Sequence, residues 1–185
     1  MVKGYTNEYI AEIIQSVMKL VKIDLEIRPD HSGINMSYNF IGHYIGIDFN
    51  RLRSAWEEIE VSISFKSYIK VLTIHELGHA IDRPALLESL ERTIEIFEIK
   101  KNYLASEIYK DSSLLAVIIE DHEMNIIFEE TAWINAEQLK NTNNLVNNSN
   151  FALVKDISLE SYQRLYLKDL ELYNTLLENL NYQTA

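Results

Sequence analysis

One short run, His75-Glu76-Leu77-Gly78-His79, has residue types and spacing that suit metal chemistry. The pattern is H-E-x-x-H. Residues four apart share a helix face, so both imidazoles can reach one ion. Neutral imidazole nitrogens suit zinc at about 2.0–2.1 Å in a tetrahedral set. Glu76 projects beside the pair, placed to take a proton from an attacking water and not to ligate. The flanks Val71-Leu72-Thr73-Ile74 and Ala80-Ile81 are apolar. Val71, Ile74, Gly78 and Ile81 are expected to form a buried face opposite the histidines. The competing explanation is that two histidines share a face by chance. Histidine is scarce, at five residues in the chain, and a glutamate directly follows the first of the pair. A structural zinc usually closes with four protein ligands, and there is no cysteine to help close one.

A third ligand is needed. The extended pattern H-E-x-x-H-x-x-G-x-x-H fails, because Asp82 and Ala85 stand at its glycine and last histidine. A glutamate from a later helix remains. Glu129, in Glu129-Glu130-Thr131-Ala132-Trp133, leads; Ala132 and Ala136 follow it at i+3 and i+7. Small residues there, with Gly78 on the first helix, would let two helices approach closely enough for a short side chain to reach the ion. Glu130 comes next, then Glu123 and Glu120. Solvated surface charge is the plainer account of each. Asp82, three residues after His79, would fix a ligating histidine's tautomer or bond to local backbone or Arg83. His122, two turns before Glu129 on its face, is a candidate donor to the tetrahedral oxyanion. A solvated histidine within Glu120-Asp121-His122-Glu123 explains it at least as well. Tyr162, Tyr166, His43 and His31 are further donors that the sequence does not rank.

The elements that must position these groups follow from periodicity. Residues 6–21 read as a helix capped by Thr6, with Ile10, Ile13, Ile14, Val17 and Val21 inside. Residues 23–28 alternate as a half-buried strand does, and residues 34–40 and 43–49 form a hairpin around Gly42. Residues 51–63 carry no clear pattern. The motif helix runs from Phe65 to Asp82 and stops near Pro84. Residues 85–110 suggest one long amphipathic helix, with Leu86, Leu87, Leu90, Ile94, Phe97 and Leu104 as its apolar side. Another helix spans 113–140, and the Asn-rich residues 141–150 read as a loop. A last helix spans 157–180, with Leu159, Tyr162, Leu165, Tyr166, Leu172, Tyr173, Leu176 and Leu180 on its apolar side and Tyr182 as its final tyrosine. It is expected to complete the core; covering the cleft or pairing two copies are the other uses of such a stripe. The expected class is α+β, mostly helical, with a small N-terminal sheet packed on the motif helix. The expected divisions are 1–140, a loop at 141–150, and a helix within 151–185.

His75 to His79 with a later Glu129-x-x-Ala132 resembles the gluzincin metallopeptidases, whose third zinc ligand is the glutamate of an E-x-x-A motif. His75 to Asp82 resembles the catalytic helix of anthrax-lethal-factor-like peptidases. The size and element order resemble the ImmA/IrrE-type peptidases, although Trp133 stands where those motifs usually carry a polar residue. The resemblance covers about residues 71–82 and 126–139. It implies a zincin-like fold, a Zn2+ cofactor, and a peptide or protein substrate hydrolysed with Glu76 as general base. It also implies an edge strand before the motif helix. Tyr44 to Phe49 is the segment expected there, open to a substrate strand. A tyrosine stands at the offset of His122 in the lethal-factor-like branch. A non-catalytic zincin-like binding or regulatory protein is the alternative, against which the retained Glu76 argues.

Composition narrows the partners. A chain of 185 residues fits one domain. The net charge of −11 repels phosphate backbones and anionic membranes, so neither nucleic acid nor membrane is expected. Absence of cysteine removes disulfides and thiolate ligands. Met1 to Tyr5 lead into an amphipathic segment and not a signal-peptide core, and the longest apolar run, Leu114 to Ile119, cannot span a bilayer. A cytoplasmic location is expected, with no export route visible.

Overall fold

Thr6 opens the first helix as its sequence predicts. Its hydroxyl accepts the Tyr9 N–H at 3.2 Å, and α1 (Asn7–Val21) buries Ile10, Ile13, Ile14, Val17 and Met18. In this computed structural model, α1 leads, among the described residues, into a three-stranded sheet and then seven more helices, a mostly helical α+β arrangement. The structure describes residues 5–61 and 63–184, with side chains to residue 179. The lead-in before Tyr5 and the side chains of Leu180 and Tyr182 lie outside the described residues.

The strands β1 (Glu26–Pro29), β2 (Met36–Asn39) and β3 (Tyr44–Ile47) lie in the order β1-β3-β2. β2 and β3 form the expected antiparallel hairpin, with Tyr38 opposite Ile45. Its turn is closed by Asn39 Oδ1, which accepts the Gly42 N–H at 2.7 Å. β1 joins β3 in parallel, with Ile27 opposite Ile45. The expectation of an open edge at residues 44–49 is therefore corrected. β3 is paired on both sides, as its buried Ile45-Gly46-Ile47 run suits, and the free edges belong to β1 and β2.

α2 (Phe49–Glu57) takes up the end of the expected strand 43–49 and the first part of residues 51–63, which carried no clear pattern. Its signal is a cap. Asp48 accepts the N–H groups of Asn50 and Arg51 at 3.1 and 3.0 Å. It also accepts the N–H of Gly33, at 3.3 Å, from a turn that needs positive φ. These bonds, Arg51's first, hold the Asp48 carboxyl below its ordinary pKa.

The motif helix α3 (Phe65–Ile81) begins at Ser64, whose hydroxyl accepts the Ser67 N–H at 3.1 Å. It packs against α1 and β2. Every residue from Val71 to Gly78 is buried, so this stretch of α3 is enclosed all round and not two-faced. Ile81, expected inside, is exposed. Pro84 does not end the helical region. It sits in the first turn of α4 (Arg83–Glu88), where a missing N–H costs little.

The long helix expected over 85–110 is broken. α4 is followed by α5 (Leu90–Asn102) and α6 (Ala105–Ile108), with extended backbone at Tyr103 separating the last two. The predicted apolar side is also rotated: Leu86 and Ile96 are buried, while Leu87, Ile94, Phe97 and Leu104 face outward. Two long helices complete the chain, α7 (Ser112–Asn143) and α8 (Asn148–Thr184). The Asn-rich stretch shrinks to residues 144–147. No described helix is long and apolar enough to cross a membrane.

The chain forms two compact units, Met1–Pro84 with Thr131–Asp156, and Ala85–Glu130 with Ile157–Ala185. The first holds α1, the sheet, α2, α3 and the adjoining parts of α7 and α8, including buried Ala132, Trp133, Ala136, Phe151 and Val154. The second has its own core of Ile108, Leu115 and Ile118, packed by Leu114, Leu172, Tyr173 and Leu176. α7 and α8 each contribute residues to both units. Of the apolar side expected for the last helix, Leu172, Tyr173 and Leu176 pack on the core of the second unit, whereas Leu165 is exposed.

Candidate metal centre

α3 carries His75, Glu76 and His79. His75 and Glu76 are buried and His79 is partly exposed. The two imidazoles lie 4.7 Å apart, centroid to centroid, at 72°. On α7, Glu129 is buried and Glu130 is exposed. One ligand atom each from His75, His79 and Glu129 lie within 4.8 Å of one another. Tetrahedral zinc with bonds of about 2.0–2.1 Å wants ligand atoms roughly 3.4 Å apart. Two imidazoles and one carboxylate are also the donor set of zinc sites that keep a position open for water or substrate, so the residues present fit the ion.

The sequence at Gly78 and Ala132 explains how α7 comes so near. A Cβ built on Gly78 would lie 2.1 Å from the Ala132 carbonyl oxygen and 2.9 Å from its carbon. Only glycine permits that approach. Asn135 Nδ2 donates to the Gly78 carbonyl oxygen at 3.1 Å, which ties α7 to α3 within the motif. One helical turn after Glu129, Trp133 lies flat on His75, with ring centroids 4.2 Å apart at 22°. Phe151 meets the indole edge-on at 5.4 Å and 79°. In the sequence, Trp133 stood out only as a departure from a family motif. Its i+4 spacing from Glu129 was the signal that it shares the ligand's face.

Ser158 was also missed. Its hydroxyl donates to Glu129 Oε2 at 3.5 Å, a long bond. Nothing in the sequence around Ser158 marks it. Tyr162 follows one turn later on α8, partly exposed.

Most of the other candidates are engaged elsewhere. In the acidic run, Glu120 accepts from Arg92 Nε at 2.7 Å, and Asp121 pairs with Lys100. Glu123 accepts the Tyr166 hydroxyl at 3.0 Å. The Arg92 guanidinium holds the Glu120 carboxyl below its ordinary pKa. His122 is neither a solvated histidine nor part of the His75–His79–Glu129 group. Its Nε2 bonds Asp169 Oδ2 at 2.9 Å, and the same oxygen accepts the Tyr109 hydroxyl at 3.1 Å. Burial, then the Asp169 charge, raises the Tyr109 pKa. Asp82 is the C-cap of α3, its N–H directed at the Gly78 carbonyl at 3.3 Å. Its carboxylate makes no hydrogen bond among the described residues, and Arg83 instead donates to the Phe40 carbonyl at 2.9 Å. Both readings of Asp82 as a hydrogen-bonding carboxylate are therefore without support. His43 shares a 2.6 Å hydrogen bond with Tyr38 in the hairpin turn, and His31 lies exposed in the loop after β1.

No protein-family model matches this chain, and no curated protein or solved structure matches it either.

Proposed function

We propose that the protein is a zinc-dependent peptidase of gluzincin type, with His75, His79 and Glu129 as metal ligands and Glu76 as general base. One observation carries this reading: a buried carboxylate from α7 converges on both histidines of an H-E-x-x-H helix. Zinc bound there would supply Lewis acidity to a scissile carbonyl and to the attacking water. Glu76, buried and adjacent to His75, accepts the proton of that water and returns it to the leaving amine. Tyr162 takes the place of His122 as donor to the oxyanion. It follows by one turn the serine that touches Glu129, whereas His122 is bonded to Asp169. An extended substrate strand fits the free edge of β2, the strand that packs on α3.

The test is hydrolysis of an internally quenched peptide library by zinc-loaded protein. Glu76→Gln is expected to retain zinc and to lose activity by roughly 10²- to 10⁴-fold. Equal activity in the variant would remove Glu76 as base. A zinc-loaded wild type that cleaves neither the library nor an unfolded protein would favour a binding or regulatory role.

A further inference from the structure

We propose that Trp133 is a positioning residue for the metal ligand His75, holding its imidazole plane at the angle the ion requires. The inference rests on the metal-centre reading above. The two rings are stacked at 4.2 Å and 22°, and Trp133 has no exposed surface. It stands four residues after Glu129, so one face of α7 carries both a ligand and the plane against which another ligand lies.

A histidine ring turns softly about its second side-chain torsion. An imidazole that must stop at one angle to ligate gains from a flat neighbour that forbids the others, because the ordering is then built into the fold before the ion arrives. The arrangement depends on the close approach of α7 at Gly78, since helices held farther apart would leave space between the rings. An aliphatic residue at 133 would fill volume without fixing the plane. A phenyl ring would keep most of the constraint.

The experiment is zinc affinity by competition with a chromogenic chelator, beside thermal unfolding of each protein. Trp133→Leu is expected to bind zinc about 10- to 100-fold more weakly, the scale typical for groups that orient metal ligands. Trp133→Phe is expected to stay near wild type. Phe151→Leu is the control, because it damages the same core without touching the imidazole plane. It is expected to lower the melting temperature and leave affinity unchanged. Unchanged affinity in Trp133→Leu would overturn the proposal. So would an equal loss in Phe151→Leu, which would assign the effect to packing alone. A wild type that binds no zinc would overturn the metal reading as well, whereas tight wild-type binding with an unaffected Trp133→Leu overturns only this inference.

A second readout does not depend on that variant folding. The chain has two tryptophans, Trp56 and Trp133. In Trp56→Phe protein the remaining emission comes from Trp133. Stoichiometric Co2+ is expected to quench it, and full emission with bound Co2+ would overturn the stacked placement.

Discussion

Gly78→Ala probes the contact on which the centre depends. The added Cβ would stand 2.1 Å from the Ala132 carbonyl oxygen, 2.9 Å from its carbon and 3.2 Å from its Cα. All three are backbone atoms, so no rotamer change and no substitution at Ala132 can relieve the clash. Restoring an ordinary contact of 3.4 Å requires α7 to move away by roughly 1 Å in a core packed to crystal density. Overpacking of this kind costs about 1–3 kcal/mol, and the backbone character of the clash puts the expected cost at the upper end. Alanine returns up to about 1 kcal/mol of helix propensity. The net expectation is a loss of about 2 kcal/mol, read as a lower urea midpoint at unchanged slope. The same shift carries Glu129 away from the histidines, so zinc affinity should fall together with stability. A Gly78→Ala protein as stable as wild type would refute the close approach and the positioning of Glu129 derived from it.

Three other outcomes follow from the same geometry. Glu129→Ala should weaken zinc binding far more than Glu130→Ala, measured by chelator competition; the reverse order would move the third ligand by one residue. Asp169→Ala should remove the shared acceptor of His122 and Tyr109, destabilise the fold by about 1–3 kcal/mol in urea, and leave zinc content intact. Loss of zinc in that variant would return His122 to the centre. Asp48 has a folded pKa below its unfolded value of about 3.9. Its capping contribution is therefore full above that value and is lost as pH falls through the folded pKa. The urea midpoints of wild type and Asp48→Ala should differ at neutral pH and converge in acid, and a pH-independent gap would contradict the capping role.

The grouping of His75, His79 and Glu129 was legible because its signals are local. H-E-x-x-H is read within five residues, and the preference for Glu129 over Glu130 came from small residues at i+3 and i+7. In the structure Glu129 is buried and Glu130 exposed. Thr6, the hairpin at Gly42 and the motif helix were found from caps and periodicity. What was misread depends on partners distant in sequence. β3 looked like an edge strand because its parallel neighbour β1 joins it from outside the hairpin. α3 looked two-faced because periodicity cannot show that a stretch of helix is enclosed on every side. The side of α5 expected inside is exposed, because Ile96 and not Ile94 or Phe97 faces the core. His122 sat at a plausible offset from Glu129, yet its partner Asp169 lies 47 residues away on another helix. The role of Asn147 as acceptor of the Asn150 N–H at 2.8 Å was hidden in a stretch whose composition reads as loop.

The most direct measurement is the metal content of purified wild type and His79→Ala by elemental analysis after zinc reconstitution. The account predicts stoichiometric zinc in wild type and its loss in the variant. Wild type without zinc, or His79→Ala with the same content, would contradict the metal centre and the peptidase chemistry proposed from it.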